Sequence, residues 1–169
     1  EEQIRTAREA FEDAEDFTVA VEEEFAILDP ETLGLANRFE ELQAAAAGTE
    51  LEPHLVGELI ASEIEIRTGR CADFTEAAAR MGERRDQLLA LADRMGVVLG
   101  ATGTHPWSPW QEQRIIDTPH YRRNDEALRY VVWRNNSFGL HVHVAIKGPD
   151  RAMQVHDWLR HLLPEILAL

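Results

Sequence analysis

The segment FTVAVEEEFAIL, residues 17–28, constrains the fold most, because three consecutive glutamates interrupt an otherwise apolar stretch. Apolar residues at alternate positions predict a β-strand, since successive strand side chains point to opposite faces of a sheet. Glu22 and Glu24 then share one face, and Glu23 falls on the apolar face. Two carboxylates on one face of a strand are costly unless an arginine or a metal ion offsets their charge.

Glu23 is the glutamate that this pattern does not explain, because its side chain points towards the side of the strand that should face the core. Two hypotheses account for it: a β-bulge at this position, or a carboxylate that reaches solvent at the edge of the sheet. Both place Glu23 where the hydrogen-bond ladder is interrupted or open.

Two later segments repeat the arrangement of a polar face backed by an apolar one. In SEIEIR, Glu63 and Glu65 share a face with Arg67, and in LHVHVAI, His141 and His143 alternate with apolar residues. If these strands lie in one sheet, carboxylates and imidazoles meet on a common face. Such donor sets, with no cysteine cluster, suit Mg²⁺ or Mn²⁺. A solvated sheet face or a plain Glu65–Arg67 ion pair explains the same pattern, so spacing alone leaves these interpretations open.

The remaining elements follow from periodicity and from turn residues. Helical spacing predicts helices over 1–16, 39–48, 73–95 and 148–169, and part of a helix within 119–136. Alternation predicts strands over 17–28, 58–69, 97–105 and 140–146. No repeat or linker divides the chain, so we predict an α+β fold in a single domain, 1–169.

Composition limits the class of partner and the compartment. The chain carries 31 acidic residues against 17 Lys and Arg, a formal charge of −14, which argues against nucleic acid and against a polybasic membrane contact. No long apolar segment is present, so we expect a cytoplasmic protein. Its single cysteine, Cys71, cannot form an intrachain disulfide, and we predict a structural role for it rather than a nucleophilic one.

Four motifs occur in order along the chain: VAVEEEFAILDP, SEIEIRTGRC, GTHPW and GLHVHV. Together, over about residues 17–169, they resemble the glutamate–cysteine ligase type 2 family of bacterial ATP-dependent carboxylate–amine ligases. The resemblance implies ligation of the glutamate γ-carboxylate to the amine of cysteine through an acyl phosphate, with ATP and Mg²⁺ or Mn²⁺. It also implies a glutamine-synthetase-like antiparallel sheet, curved into a cup with flanking helices.

The same resemblance implies roles for individual residues. It implies five metal ligands: Glu22, Glu24, Glu58, Glu65 and His141. Arg122 matches a catalytic arginine that binds the phosphates of ATP, and Tyr121 matches a tyrosine near the amine substrate. Arg67 and His143, which lie on the same polar faces, are expected to contact substrate.

The chain also departs from the family pattern. Ala20 stands where the family has glycine before the acidic triplet, and Asn135 stands where glutamine is common. Family members run further, so the chain resembles the N-terminal portion of a catalytic domain and is expected to be inactive alone.

Two alternative functions remain beside the ligase: a metal-dependent hydrolase that uses the same carboxylates and histidines, and a non-catalytic fragment that acts as an interaction module. The expected partners are small molecules, namely glutamate with cysteine or another amine. Neither nucleic acid nor a membrane is expected, and a homo-oligomer is possible.

Overall fold

The computed structural model describes residues 2–169 and contains a five-stranded antiparallel sheet with flanking helices. The strands are β1 (Val19–Leu28), β2 (Leu55–Val56), β3 (Glu63–Arg67), β4 (Val98–Gly100) and β5 (Leu140–Val144). The α-helices are α1 (Glu2–Glu12), α2 (Phe39–Ala46), α3 (Phe74–Met95), α4 (Pro119–Leu128), α5 (Tyr130–Trp133), α6 (Pro149–Leu159) and α7 (Leu163–Ala168). Within residues 2–169 no helix has the length and apolar character that crossing a bilayer requires. The predicted combination of an antiparallel sheet with flanking helices is confirmed.

β1 is the central strand, because other strands pair with both of its edges. On one edge β3 pairs along Glu22–Ala26, and β2 extends the sheet beyond β3. On the other edge β5 pairs along Val19–Glu23, and β4 pairs with the last three residues of β1. The acidic triplet therefore lies at the centre of the sheet.

Glu23 lies in an uninterrupted ladder, opposite Ile66 on β3 and Leu140 on β5. Both sequence hypotheses for this residue, the bulge and the sheet edge, are therefore wrong. Its buried carboxylate accepts two hydrogen bonds from the guanidinium of Arg85 on α3, at 2.6 and 2.8 Å. A bidentate arginine supplies the positive charge that makes a carboxylate tolerable on the apolar side of a central strand.

α3 covers the apolar face of the sheet. Its start is fixed by Asp73, whose side chain accepts a hydrogen bond from the Glu76 N–H at 2.9 Å, and it ends at Gly96 with φ of 63°. The residues that α3 buries against the sheet are Ala77, Met81, Leu88, Leu91 and Ala92. The helix predicted over 73–95 is confirmed to within one residue.

The strands are shorter than the sequence predicts. The predicted strand 58–69 is reduced to Glu63–Arg67, because the segment before it pairs irregularly with residues 114–116. Ala61 N–H donates to the Arg114 carbonyl at 2.8 Å, and Ile116 N–H donates to the Leu59 carbonyl at 3.0 Å. The predicted strand 97–105 ends at Gly100, and the two-residue β2 was not predicted at all.

A second apolar cluster lies on the same sheet face as Glu22 and Glu24. Ala26 and Leu28 continue the even-numbered positions of β1, so their side chains point to that face. The cluster consists of Ala26, Leu28, Leu59, Ile60, Val132 and Phe138. Because Val132 belongs to α5, this helix packs beside the acidic residues rather than on the α3 side.

Gly57 fills a position where no side chain fits. A Cβ there would lie 2.4 Å from Phe39 Cε1 and 2.9 Å from Ile116 Cδ1, and the Phe39 ring is buried. We expect Gly57→Ala to lower the free energy of unfolding by about 1–3 kcal/mol, measured by urea denaturation.

Gly82, in the middle of α3, provides the matched control. An added Cβ meets nothing within 4 Å there, so Gly82→Ala should raise the free energy of unfolding by about 1 kcal/mol through helix propensity. A Gly57→Ala variant as stable as the wild type would contradict the packing around Gly57.

Candidate metal centre

Glu22 is the residue at which side chains from three strands meet. Its Oε1 lies 3.2 Å from Arg67 Nε, and its Oε2 lies 3.0 Å from His143 Nε2 and 3.6 Å from His141 Nδ1. In the sheet, Glu22 stands opposite Arg67 on β3 and opposite His141 on β5. Directly opposed side chains on one face are close neighbours, so the register of β1 brings these groups together.

Two groups of three potential ligands form on this face, and they share His141. In one group the donor atoms of Glu22, His141 and His143 lie within 4.8 Å of one another, and in the other those of Glu24, Glu65 and His141 do. The expected meeting of carboxylates and imidazoles on one face of an antiparallel sheet is confirmed for Glu22, Glu24, Glu65 and His141. That this face is concave stays a prediction.

Glu58, from the irregular segment before β3, joins the same group. Its Oε1 lies 3.5 Å from an Arg67 guanidinium nitrogen, and its Oε2 accepts a hydrogen bond from the Tyr121 hydroxyl at 3.3 Å. Burial, and then the negative charge of Glu58, raise the pKa of the Tyr121 hydroxyl. Tyr121 is therefore a neutral donor held beside a carboxylate.

Arg67 is the cation that reaches most of the acidic residues in this group. It pairs with Glu65, with Glu22 and with Glu58. The simple Glu65–Arg67 ion pair considered from the sequence is thus present. It does not account for the site, because a single guanidinium charge is shared among three carboxylates.

Glu63 is a buried acid that sequence reasoning placed on the polar face but left without a role. Burial, followed by the charges of Glu24 and Glu58, raises the pKa of Glu63 to about 9. Burial also raises the pKa of Glu65 to about 7, although Arg67 acts in the opposite direction. Glu63 and Glu65 are two residues apart on β3, so their side chains point to the same face of the sheet. This spacing is the sequence signal that could have identified Glu63.

Glu22 differs from these two acids. Burial acts to raise its pKa, but the hydrogen bond from His143 and the positive charge of Arg67 outweigh burial, so the pKa of Glu22 is lowered. Glu22 is therefore a carboxylate in its ionised form, which is the form that binds cations.

Gly139 is a second residue that the sequence did not reveal. Its N–H donates to Glu24 Oε2 at 2.5 Å, which fixes the orientation of that carboxylate between β1 and β5. A Cβ at Gly139 would lie 3.3 Å from the same oxygen and 3.2 Å from His141 Nε2. Glycine thus permits the close approach of the backbone to two of the potential ligands.

The donor set fits a divalent cation. Five carboxyl groups crowd one sheet face: Glu22, Glu24, Glu58, Glu63 and Glu65. Arg67 pairs with three of them, and the imidazoles of His141 and His143 lie beside Glu22. Oxygen ligands with an occasional imidazole are what Mg²⁺ and Mn²⁺ accept. Burial is the main cause of the raised pKa values of Glu63 and Glu65, and neighbouring carboxylates raise them further.

Arg122 stands apart from this group. It follows Tyr121 on α4, its side chain is 62% exposed, and it forms an ion pair with Asp117 at 3.3 Å. Its role at the phosphates of ATP stays a prediction.

Cys71 is buried in the main core, with its Sγ 3.5 Å from the Gly69 carbonyl oxygen. This burial favours the predicted structural role, because a nucleophilic thiol must be accessible to its substrate.

Comparison with known proteins gives the family. The profile of glutamate-cysteine ligase family 2 matches residues 18–169. A Rubrobacter xylanophilus protein, provisionally named glutamate–cysteine ligase 2-2, is 42% identical over 162 residues, which cover 95% of this chain and 41% of the relative. A Sorangium cellulosum protein with the provisional name glutamate–cysteine ligase 2 is 42% identical over 154 residues, 90% of this chain and 41% of the relative. This chain spans about two fifths of the length of these curated relatives, and it belongs to glutamate-cysteine ligase family 2.

Proposed function

We propose that this chain supplies the metal- and phosphate-binding part of an ATP-dependent carboxylate–amine ligase that joins the γ-carboxylate of glutamate to the amine of cysteine. The observation that carries the proposal is the pair of three-ligand groups that share His141 on one sheet face. The reaction is proposed for a protein of the relatives' length, and this chain alone is expected to show no turnover. The sheet would form part of a glutamine-synthetase-like cup.

The proposed reaction explains why such a site is needed. A carboxylate is a poor acyl donor, so the γ-phosphoryl group of ATP is first transferred to it, and ADP leaves. The amine then attacks the acyl phosphate, and phosphate leaves as the amide forms. Phosphoryl transfer depends mainly on positioning and on neutralising charge at the phosphoryl oxygens. Mg²⁺ or Mn²⁺ would supply that neutralisation when bound.

The ligands proposed for these ions are the predicted ones: Glu22, Glu24, Glu58, Glu65 and His141. In this arrangement Arg67 has a second task. Its guanidinium contacts three of these carboxylates, and a cation bound to them would compete for the same oxygens. Arg67 would then have free N–H groups for an anionic substrate, which is the substrate role proposed for it.

Two neighbouring groups would act on the amine side. Tyr121 keeps its proton, because burial and Glu58 raise the pKa of its hydroxyl. Since that proton is donated to Glu58, Tyr121 is proposed to position the amine substrate by accepting a hydrogen bond from an amine N–H. His143, with its Nε2 3.0 Å from Glu22, is proposed to contact substrate at the exposed side of the group. Arg122 is proposed to bind the phosphates of ATP.

Metal affinity provides the test. We expect Mn²⁺ to bind the wild-type chain at millimolar concentration or below in a calorimetric titration, and His141→Ala to weaken binding at least tenfold, because both three-ligand groups lose their shared donor. Glu22→Gln and Glu24→Gln should each weaken it as well. Glu83→Gln, which removes the same charge from an exposed position on α3, should bind Mn²⁺ as the wild type does.

The other outcomes separate the alternatives. Metal binding together with metal-dependent hydrolysis of p-nitrophenyl phosphate would favour the hydrolase. No binding at 10 mM Mn²⁺ (about the highest concentration practical for a weak site) would overturn the proposal and favour the interaction module. Turnover comparable to that of a full-length relative, in a phosphate-release assay with glutamate, cysteine and ATP, would contradict the expected inactivity.

A further inference from the structure

Two tryptophans lie nearly parallel beside an open cavity. Trp110, in a 3₁₀ turn after β4, and Trp133, at the end of α5, have ring centroids 6.4 Å apart and an interplanar angle of 14°. A centroid distance of this size at a small interplanar angle is typical of an offset-stacked aromatic pair. A cavity of about 300 Å³ adjoins both, lined by Ile60, Trp110, Gln111, Gln113, Ile115 and Trp133.

Contacts outside the cavity fix both indoles. The Trp133 indole N–H donates to the carboxylate of Asp125. The ring of Tyr130 packs edge-on against Trp110, with centroids 5.8 Å apart and an angle of 88°. The parallel arrangement is therefore preorganised before any ligand enters, which lowers the cost of binding a flat molecule.

The cavity lies beside the candidate metal centre. Ile60 lines the cavity, belongs to the apolar cluster on the metal-binding face, and follows Glu58 by two residues. Phe138 belongs to the same cluster, and Gly139, next in the chain, donates its N–H to Glu24. The cavity therefore adjoins the apolar cluster that shares a sheet face with the carboxylates.

We propose that Trp110 and Trp133 bind the purine ring of the nucleoside triphosphate whose phosphates reach the metal centre, an inference that rests on the proposed function. A purine is a flat aromatic ring, so it can stack on an indole face that lines the cavity. Base–indole stacking needs only the π faces.

The polar groups of the cavity add selectivity. Gln111 is exposed and is available to hydrogen-bond the edge of the base. The amide of Gln113 is already engaged, since it accepts from the Ser62 hydroxyl at 2.7 Å and donates to the Pro109 carbonyl at 3.2 Å. An apolar cleft with few polar groups is typical of small-molecule sites.

The test compares Mg²⁺–ATP with Mg²⁺–tripolyphosphate, which carries the phosphates without the base. In calorimetric titrations the wild-type chain should bind Mg²⁺–ATP roughly tenfold more tightly than Mg²⁺–tripolyphosphate. Trp133→Ala and Trp110→Ala should abolish that difference while leaving tripolyphosphate and Mn²⁺ binding unchanged, which also shows that the variants fold. Trp133→Phe should retain part of the difference, and Trp158→Ala, at an exposed position on α6, should retain all of it.

Two outcomes would overturn the inference: equal affinity of the wild-type chain for both ligands, or an undiminished preference for ATP in both alanine variants. If Trp133→Ala fails to fold, loss of the preference in Trp133→Phe or in Trp110→Ala decides the question. A further titration with adenosine separates this inference from the proposed function. A wild-type chain that binds adenosine but neither Mn²⁺ nor Mg²⁺–tripolyphosphate would contradict the proposed function and support the purine site. A wild-type chain that binds Mn²⁺ and binds Mg²⁺–tripolyphosphate as tightly as Mg²⁺–ATP would support the proposed function and contradict the purine site.

Discussion

Replacing Arg85 by alanine is expected to lower the free energy of unfolding by about 3 kcal/mol. The Glu23 side chain is only 10% exposed and lies on the central strand, and Arg85 is its bidentate partner. Removing Arg85 leaves the buried Glu23 carboxyl group without the partner that donates two hydrogen bonds to it. Leaving a buried polar group unpaired costs more than the attraction between the two groups contributes. Urea denaturation of the wild type and the variant at pH 7 measures the loss.

Two controls separate this effect from the loss of an ordinary surface ion pair. Arg80→Ala, on the same helix, removes the i,i+4 pair with Glu76, whose side chains are both well exposed, and should cost about 1 kcal/mol or less. The double variant Glu23→Leu/Arg85→Leu should recover most of the stability, because neither charge remains. An Arg85→Ala variant that loses no more stability than Arg80→Ala would show that Glu23 does not depend on Arg85 for its neutralisation.

The ion pair explains how one strand carries three consecutive glutamates. Successive side chains alternate between faces, so Glu22 and Glu24 point to the candidate metal centre and Glu23 points to α3. Each face provides its own positive charge: Arg67 on one side and Arg85 on the other. The register of β1 holds Glu22 opposite Arg67 and His141.

The alternation of side chains along a strand made much of the site predictable from the sequence. Along a strand, side chains repeat every two residues, so Glu22 with Glu24, Glu63 with Glu65, and His141 with His143 had to share faces once the strands were recognised. α3 was equally predictable, since Asp73 and Gly96 mark its ends. Alternation along one strand does not specify which strands are neighbours in the sheet. The strand order decides whether the polar side chains of different strands lie together.

The features that were missed depend on contacts between distant parts of the chain. The Glu23–Arg85 pair joins residues 62 apart, and the Gly139–Glu24 hydrogen bond joins residues 115 apart. No local pattern specifies either contact. The irregular course of the segment before β3 likewise follows from its pairing with residues 114–116. The sequence therefore predicted a strand over 58–69, although only Glu63–Arg67 forms one.

In the absence of metal, the stability of the protein should fall as the pH rises from about 7.5 to 9. Burial raises the pKa of Glu63 to about 9 and that of Glu65 to about 7, from ordinary values near 4.5. In this range the native state holds protons that the unfolded chain has already released, so stability that is complete below about pH 4.5 is lost as the pH passes through these pKa values. Glu65 has already lost most of its proton at pH 7.5, so Glu63 supplies most of the slope in this range, up to about 1.4 kcal/mol per pH unit.

Below about pH 7.5, His54 changes the free energy of unfolding in the opposite direction. Burial, with the charges of Arg84 and Arg80, lowers the pKa of His54. The native state therefore binds fewer protons at His54 than the unfolded chain does, and stability from this group increases as the pH rises through about 6.5. Acids with lowered pKa values, such as Glu22, act only below about pH 4.5.

Metal should remove the loss, because Mg²⁺ binds the deprotonated carboxylates and replaces the protons as the source of positive charge. Urea denaturation in EDTA at pH 7.5, 8.2 and 9 should show the decline, and a Mg²⁺ concentration of about 100 times the dissociation constant should add about 2.7 kcal/mol, most clearly at pH 9. Glu63→Gln, which cannot ionise, should show a shallower decline in EDTA. Stability in EDTA that stays constant or rises between pH 7.5 and 9 would contradict the burial of a protonated Glu63 among the acidic residues of this face.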